Sequence, residues 1–198
     1  MISLRSVTKR FDGRAVLDGL DLDLAAGAVT ALMGSNGSGK TTVGRLLLGL
    51  LAPDGGAVHG IAGRRRAAVF QEDHLCEHLT AADNVRLVLP RGSRVDAPDH
   101  LRRVGLVGDS LRTPVRDLSG GQRRRVAIAR AVAADADLLT LDEPFTGLDV
   151  EAKGQVMDYV RTCARGTTLL ITHDSAEATW FGADPFRLPP PREPAPHG

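Results

Sequence analysis

The 198-residue sequence has little of several features that would place it in a particular class of protein. Its two cysteines, Cys76 and Cys163, form neither a CxxC pair nor a zinc-type spacing with histidines, so we interpret them as ordinary thiols of a reducing compartment. No apolar run approaches the roughly 20 residues that a membrane-crossing helix needs. The first residues, MISLRSVTKRFDG, lack the apolar core of a secretory signal. We therefore expect a cytoplasmic protein whose only contact with a membrane is peripheral.

Charge of either sign is not in excess, since 25 lysines and arginines face 24 aspartates and glutamates. A near-neutral chain is not a general binder of polyanions. Two short arginine runs, 64–66 and 123–125, also lack the interleaved aromatic side chains on which nucleic-acid bases stack. We interpret both runs as solvated faces and predict no nucleic-acid partner.

Strand-like and helix-like patterns alternate along the chain. In RAVLDGLDLDLAAG, leucines 20, 22 and 24 alternate with aspartates, which is the period of a half-buried strand. The mostly apolar runs in AVTALMG, DLLTLDEP and GTTLLITHD are typical of buried parallel strands. Helices are predicted from the TTVGRLLLGLLAP segment up to Pro53, after LSGGQ to about Ala134, and over roughly 151–164. The alternation predicts an α/β fold with a mainly parallel sheet.

Residues 72–117 show a helical pattern that is broken into short pieces. LTAADNVRLVL begins with a capping pattern from Thr80 to Asp83, and SRVDAPDHLRRVGLVG reads as a loop followed by a short helix. The C-terminal stretch DPFRLPPPREPAPHG holds six of the eleven prolines. Proline cannot continue a helix or a central strand, so we predict a disordered tail, which we number 187–198.

GSNGSGKT, residues 34–41, matches the phosphate-binding pattern G-x-x-x-x-G-K-[ST] between an apolar strand and a helix. Glycines let backbone N–H groups turn inward around phosphate oxygens, and the helix points its positive end at the same anion. Lys40 can reach the β- and γ-phosphates, and Thr41 can offer its hydroxyl to Mg²⁺. A glycine-rich turn that merely holds a lysine is the alternative. The predicted cofactor-binding residues of this loop are Gly34, Ser35, Asn36, Gly37, Ser38, Gly39, Lys40, Thr41 and Thr42.

The strand LLTLDEP supplies an acidic pair at its carboxyl end, where ligands of parallel sheets bind. Asp142 is placed to hold Mg²⁺. Glu143 can polarise a water that attacks the γ-phosphate, as a general base. Without a phosphate loop in the same chain, an ordinary exposed acidic pair would be the better interpretation.

A third motif is LSGGQRRRVAIARA, in which two glycines directly precede the pattern of a well-formed helix. The motifs occur in one order over about residues 1–186, and in that order they resemble the ATP-binding cassette (ABC) ATPases, with LSGGQ, residues 118–122, as the signature motif of that family. The resemblance implies a P-loop NTPase fold with a small antiparallel β-subdomain and a short helical subdomain, at about 72–118, that carries the signature. It further implies roles for Phe11 (stacking on adenine), Gln71 (Mg²⁺ and water contact), Asp149 (the loop after the acidic strand) and His173 (γ-phosphate contact). A core aromatic and a structural histidine are the alternatives for Phe11 and His173.

In that family two cassettes pair head to tail, and the signature of one covers the ATP of the other. The resemblance therefore implies that Ser119, Gly120, Gly121 and Gln122 contact a partner's nucleotide, the alternative being a plain glycine-rich N-cap. It implies ATP and Mg²⁺ as cofactors and catalysis by Glu143, His173, Gln71 and Lys40.

The implied role is the ATPase motor of a transporter, an importer of a small solute, at the cytoplasmic face of the membrane. Its partners would be transmembrane permease subunits, a second cassette and a solute-binding protein. A soluble, non-transport ABC-type ATPase acting on DNA or ribosomes is the competing function. A simple P-loop kinase would leave LSGGQ and His173 unexplained.

Overall fold

The computed structural model describes residues 1–90, 93 and 95–190, which contain eight strands and six α-helices. The strands, in chain order, are β1 (Ile2–Phe11), β2 (Arg14–Leu24), β3 (Val29–Met33), β4 (Gly55–His59), β5 (Arg66–Val69), β6 (Leu138–Asp142), β7 (Thr167–Ile171) and β8 (Pro185–Arg187). The helices are α1 (Lys40–Leu47), α2 (Ala81–Arg86), α3 (Ala97–Arg103), α4 (Gly120–Ala133), α5 (Val150–Cys163) and α6 (Ser175–Trp180). The chain divides into two compact units, one of residues 1–64 with those from 167 onward, the other of residues 65–166.

The first unit contains an antiparallel sheet in the order β2-β1-β4. The predicted alternation along β2 is confirmed, because Leu20, Leu22 and Leu24 are buried while Asp21 and Asp23 are exposed. Burying one face of a strand fixes its register, since a slip of one residue would turn every leucine to solvent. The predicted small antiparallel part of the fold is present in this unit.

The first unit also contains parallel strands, with β3 between β7 and β8. All five residues of β7 are buried, as are the last three of β3. Parallel strands of this kind read as continuous apolar runs because both faces are covered. Ligands of such strands bind beyond their carboxyl ends, so the segments that follow β3 and β7 are the ones to inspect.

The second unit holds the parallel pair β5 and β6 and most of the helices. All five residues of β6 are buried. Helices α2 and α3 pack on α4, and their apolar side chains form the core of this unit: Val85, Leu101, Val126 and Ile128 are all fully buried. In the described parts of the chain no helix combines the length and the apolar character that crossing a membrane requires.

The ends of α1 and α2 are determined by capping and stop residues, and the end of α1 differs from the predicted one. Thr80 caps α2, accepting a hydrogen bond from the backbone N–H of Asp83, as the capping pattern predicts. Helix α1 ends at Leu47, well before Pro53. Gly49, at φ 70°, reverses the chain, and its N–H bonds to the carbonyl of Leu46. A left-handed glycine is a common helix stop, and it takes precedence here over the later proline.

The prediction of a tail without regular structure is wrong for the residues just before Pro189. Residues 185–187 pair with β3 as strand β8, and the N–H of Leu188 donates to Met33 O at 2.7 Å. Pro185 is the first residue of this short strand, a position where its missing N–H is tolerated. Leu188 is 5% exposed and, with Phe186, lines a cavity of about 300 Å³ beside β2. Residues 191–198 of the predicted tail lie outside the described residues.

Candidate functional site

The glycine-rich loop 34–39 joins β3 to α1 in the first unit. The Lys40 ammonium donates to two carbonyls of the loop, Gly34 O and Ser35 O, each at 2.9 Å. Gly39 is the N-cap of α1, which has no side-chain cap and no acidic residue in its first turn. The positive end of the helix and the lysine charge therefore meet at one loop, which is the arrangement that binds phosphate.

Packing explains why the loop carries glycines. Gly39 has φ 98°, and a Cβ there would lie 2.9 Å from side-chain atoms of both Leu17 and Val16. A Cβ on Gly34 would lie 2.7 Å from the hydroxyl oxygen of Ser38, which is fully buried. Among the described residues that hydroxyl has no hydrogen-bond partner. A tight cradle of backbone around a buried polar atom fits a phosphate group as its ligand.

Two further predicted residues belong to the first unit. Phe11 ends β1 and is 42% exposed, with the Lys9 ammonium 5.6 Å from its ring centre. His173 is exposed directly after β7. Its neighbour Thr172 is buried, donates to the carboxylate of Glu177 at 2.5 Å and accepts from the N–H of Asp174 at 3.1 Å. An exposed ring suits stacking on a base, and the firmly bonded Thr172 fixes the backbone that presents His173.

Asp142 and Glu143 stand at the carboxyl end of β6 in the second unit. Asp142 is 5% exposed. Glu143 has φ 47°, in the left-handed region that residues with a side chain avoid. Such a conformation costs about 1–3 kcal/mol and persists only where neighbouring contacts hold it. Glu143 therefore combines a constrained backbone with a carboxylate, a group that can accept a proton.

Arg124 of α4 supplies those contacts. It is 5% exposed, and its guanidinium donates to Glu143 O at 2.5 Å, Pro144 O at 2.9 Å and Asp142 O at 3.3 Å. The same group reaches the segment after β5, where it bonds Phe70 O, Gln71 O and the carboxylate of Asp73. The interpretation of 123–125 as a solvated face is therefore wrong at Arg124, because a buried guanidinium must have its charge and donors satisfied within the protein.

Arg125 is also used internally, although it is only half-buried. It donates to the carbonyls of Val104, Gly105 and Gly121, and so fastens the end of α3 to α4. Arginine 124 could have been found from the helical period, since Ile128 and Ala131, four and seven positions on, are buried on the same side of α4.

The signature glycines stand at the start of α4. Ser119 accepts from the N–H of Gln122 at 3.3 Å, and the amide oxygen of Gln122 accepts from the N–H of Ser119 at 2.9 Å, which together make a capping box. A Cβ on Gly120 would have no described atom within 4 Å, and one on Gly121 would touch only Gly147 O at 3.6 Å and Leu148 at 3.8 Å. Nothing in the described chain requires either residue to be glycine.

The remaining predicted residues also lie in the second unit. Gln71 is exposed just after β5. Asp149 is the N-cap of α5, where its carboxylate accepts from the N–H of Ala152 at 2.8 Å. The first unit thus carries the phosphate loop, Phe11 and His173, whereas the second carries Gln71, the acidic pair, the signature and Asp149.

A family model described as "ABC transporter" matches residues 17–146. The chain is 42% identical over 189 residues to the aliphatic sulfonates import ATP-binding protein SsuB of Cupriavidus necator, covering 89% of this chain and 62% of that protein. It is 41% identical to SsuB 1 of Pseudomonas fluorescens, covering 97% of this chain and 80% of that protein. The chain thus spans less than two thirds of one of these relatives and four fifths of the other.

The fold is also similar to solved structures. The dimeric, post-hydrolysis structure of the ATP-binding cassette MJ0796 with ADP and Pi is 26% identical, with a TM-score of 0.84 over 95% of this chain and 94% of that one. A second dimeric structure of MJ0796, described as a bacterial ABC transporter cassette, gives the same TM-score over 98% of this chain. These similarities confirm the predicted fold class.

Proposed function

The chain belongs to the ABC transporter family, and on that basis we propose that it binds and hydrolyses ATP as the motor subunit of a transporter. The observation that carries the proposal is a pair of features, one suited to binding phosphate and the other suited to activating a water for hydrolysis. One is a glycine cradle with Lys40 bonded to its carbonyls, and the other is Glu143 held in a strained backbone after a buried strand. Phosphate binding alone would not require a carboxylate that can act as a general base.

Nucleotide binding would use the first unit. The backbone N–H groups of the loop and the amino end of α1 would hold the phosphates, and Lys40 would exchange its carbonyl partners for β- and γ-phosphate oxygens. We propose that Phe11, exposed at the end of β1, stacks on the adenine.

We propose Mg²⁺ as the cation that accompanies ATP, with the Thr41 hydroxyl, the Asp142 carboxylate and the Gln71 amide as its protein ligands. All three offer oxygen ligands, the kind that this cation prefers. Bound there, it would offset the negative charge that develops on the γ-phosphate.

Hydrolysis would depend on two side chains of this chain. Glu143 would accept a proton from the attacking water, and its fixed backbone would aim the carboxylate at that water. His173 would donate a hydrogen bond to the γ-phosphate, presented by a loop that Thr172 anchors.

The signature would act in a second cassette. Gly120 and Gly121 leave the amino end of α4 open, so that a phosphate of another chain could approach its N–H groups. We propose a head-to-tail pair of cassettes in which Ser119 and Gln122 join that contact and Asp149 flanks it. The MJ0796 structures, described as dimeric, support pairing in this family.

Transport would require membrane partners. The relatives named above are import proteins for aliphatic sulfonates, and CysA 1 of Agrobacterium fabrum, 37% identical over 199 residues, is a sulfate/thiosulfate import protein. We propose that this chain serves permease subunits, aided by a solute-binding protein, in importing a small sulfur oxyanion. It would act at the cytoplasmic face of the membrane, with residues 1–186 as the cassette and 72–118 as its helical part.

The first test is ATP hydrolysis by the purified chain, with Glu143→Gln as the paired variant. We expect the wild type to release phosphate and the variant to lose about 10²-fold or more in kcat while still binding ATP, since the base is removed and the phosphate loop is intact. Equal hydrolysis by both proteins would remove Glu143 from its role.

The transport role is tested by purifying the tagged chain from detergent-solubilised membranes of its native cell. A multi-spanning membrane protein recovered in near-equal amount is the expected result. Recovery from the soluble fraction alone, with no such partner, would contradict the transport role and leave the ATPase role standing.

A further inference from the structure

Arg124 joins three segments of the second unit that the proposed function uses separately. It belongs to α4, the helix that follows the signature. Its guanidinium bonds the backbone on both sides of Glu143 and also the backbone of Gln71. These partners lie 18–20 and 51–54 positions from Arg124 along the chain.

The chemistry of this cluster suits arginine and no other residue. A guanidinium has five N–H donors in one rigid plane, and those of Arg124 are spread over five carbonyls and one carboxylate. Asp73 supplies the carboxylate at 3.0 Å and neutralises the charge, with side chains of 6% and 23% exposure for the arginine and the aspartate. The cluster is therefore satisfied in hydrogen bonds and in charge, as a buried ion must be.

From this geometry we propose that Arg124 is a positioning residue that fixes the backbone of Glu143 and of Gln71 to the signature helix. The hydrogen-bond partners of its guanidinium are all protein groups of the described chain. It holds the strained φ of Glu143 by binding the carbonyl of that residue and those of both neighbours, and so keeps the carboxylate aimed. The inference rests on the proposed function, because it gives Glu143 and Gln71 the roles proposed there.

One consequence is that Arg124 links the helix proposed to contact a partner's nucleotide to the residues proposed to act on this chain's own nucleotide. The start of α4 is proposed to meet the nucleotide of a partner, whereas Glu143 and Gln71 act on the nucleotide of this chain. Arg124 belongs to α4, and its guanidinium binds the backbone of Glu143 and of Gln71. A shift of α4 would therefore also move these two residues.

Arg125 provides a matched control on the same helix. It also binds three backbone carbonyls, those of Val104 and Gly105 at the end of α3 and that of Gly121 in the first turn of α4. The contact proposed for Gly121 uses its N–H group, which points toward the amino end of the helix, and not its carbonyl. Replacing it removes the same kind of hydrogen bond without touching the segments of Glu143 or Gln71.

The experiment compares Arg124→Gln and Arg125→Gln by kcat, by KM for ATP and by thermal unfolding. We expect Arg124→Gln to lower kcat about tenfold or more with KM within about threefold of wild type, since a misaimed base affects the chemical step and leaves the phosphate loop alone. Arg125→Gln should lower Tm comparably and keep kcat within about threefold. Arg124→Lys, with three donors in place of five, should recover part of kcat.

Two outcomes would overturn the inference: a kcat for Arg124→Gln close to that of the wild type, or an equal loss of kcat in Arg124→Gln and Arg125→Gln. If Arg124→Gln does not fold, Arg124→Lys decides, with a reduced kcat at unchanged KM as support and a wild-type kcat as contradiction. A wild-type chain that does not hydrolyse ATP refutes the proposed function instead, before any variant is compared.

Discussion

The two glycine-rich helix starts of this chain look alike in sequence and differ in what demands their glycines. At α1, the chain itself demands them, since Gly39 has φ 98° and a Cβ there would collide with Leu17 and Val16. At α4, a Cβ on Gly120 or Gly121 would fit against the described atoms. The first loop is constrained by its own fold, whereas no contact of the described residues constrains the glycines of the second.

The two starts also differ in how their N–H groups are satisfied. Helix α1 has no side-chain cap, and its lysine lies on loop carbonyls. Helix α4 has a full capping box between Ser119 and Gln122. N–H groups at a helix start that has no side-chain cap can bind an anion. At a capped start, the capping side chains satisfy part of these groups without any ligand. Substitutions at the two starts should therefore separate binding, stability and hydrolysis.

The largest effect is expected at Lys40. Lys40→Ala removes the one cation of the phosphate loop, and hydrogen bonds to charged groups contribute about 1.5–3 kcal/mol, so ATP affinity should fall about 10- to 100-fold. Equilibrium titration with a fluorescent ATP analogue measures the affinity, and Arg102→Ala on α3, whose guanidinium pairs with Asp96 and Asp99, controls for the loss of one cation. Wild-type affinity in Lys40→Ala would remove the phosphate loop from nucleotide binding.

Next comes Gly39→Ala, which tests whether the fold requires the first glycines. Its positive φ and the 2.9 Å approach to two side chains should lower the free energy of unfolding by about 2 kcal/mol or more. Urea unfolding monitored by circular dichroism measures the change. An unaltered unfolding midpoint would contradict the packing argument for this loop.

Gly121→Ala should behave in the opposite way and sharpen the comparison most. Alanine favours a helix over glycine by up to about 1 kcal/mol, so the free energy of unfolding should stay equal or rise. Hydrolysis should nevertheless fall about tenfold or more, because the added Cβ holds a partner's phosphate off the backbone donors. Phosphate release and urea unfolding are measured on the same preparation. A more stable and fully active variant would show that no phosphate meets this helix.

The smallest effect is expected for Ser119→Ala, which removes one half of the capping box. Loss of such a cap costs about 1 kcal/mol, or roughly 2–4 °C in Tm for a chain of this size. Thr80→Ala removes the matching cap of α2 and should cost about as much while leaving hydrolysis unchanged. Differential scanning fluorimetry and phosphate release together separate the two. A Ser119→Ala variant that loses stability alone would leave Ser119 as a structural cap.

Local patterns predicted the parts of the fold that depend on local causes. The alternating leucines of β2, the cap at Thr80 and the apolar runs of β6 and β7 each act within a few residues, and each was predicted. The strand at 185–187 was missed because the prolines of the C-terminal stretch suggested disorder, whereas an edge strand accepts a proline at its first position.

Sequence motifs predicted the residues of the candidate site but not the residues that hold them in position. Motifs identify residues proposed to bind the ligand, but five of the six partners of Arg124 are backbone carbonyls of distant segments, and a backbone carbonyl is present whatever side chain a residue carries. No sequence pattern encodes such partners. The strained φ of Glu143 was equally unpredictable, since nothing in LDEP departs from ordinary strand and turn composition.

That strain at Glu143 sets stability against activity in any search for improved variants. Glycine adopts a positive φ freely, so Glu143→Gly would recover some of the cost of the left-handed conformation while removing the carboxylate. Selection of this chain for heat resistance alone would thus favour replacements at the position that we propose as the general base. A screen that scores both properties should return position 143 among the stabilised but inactive clones.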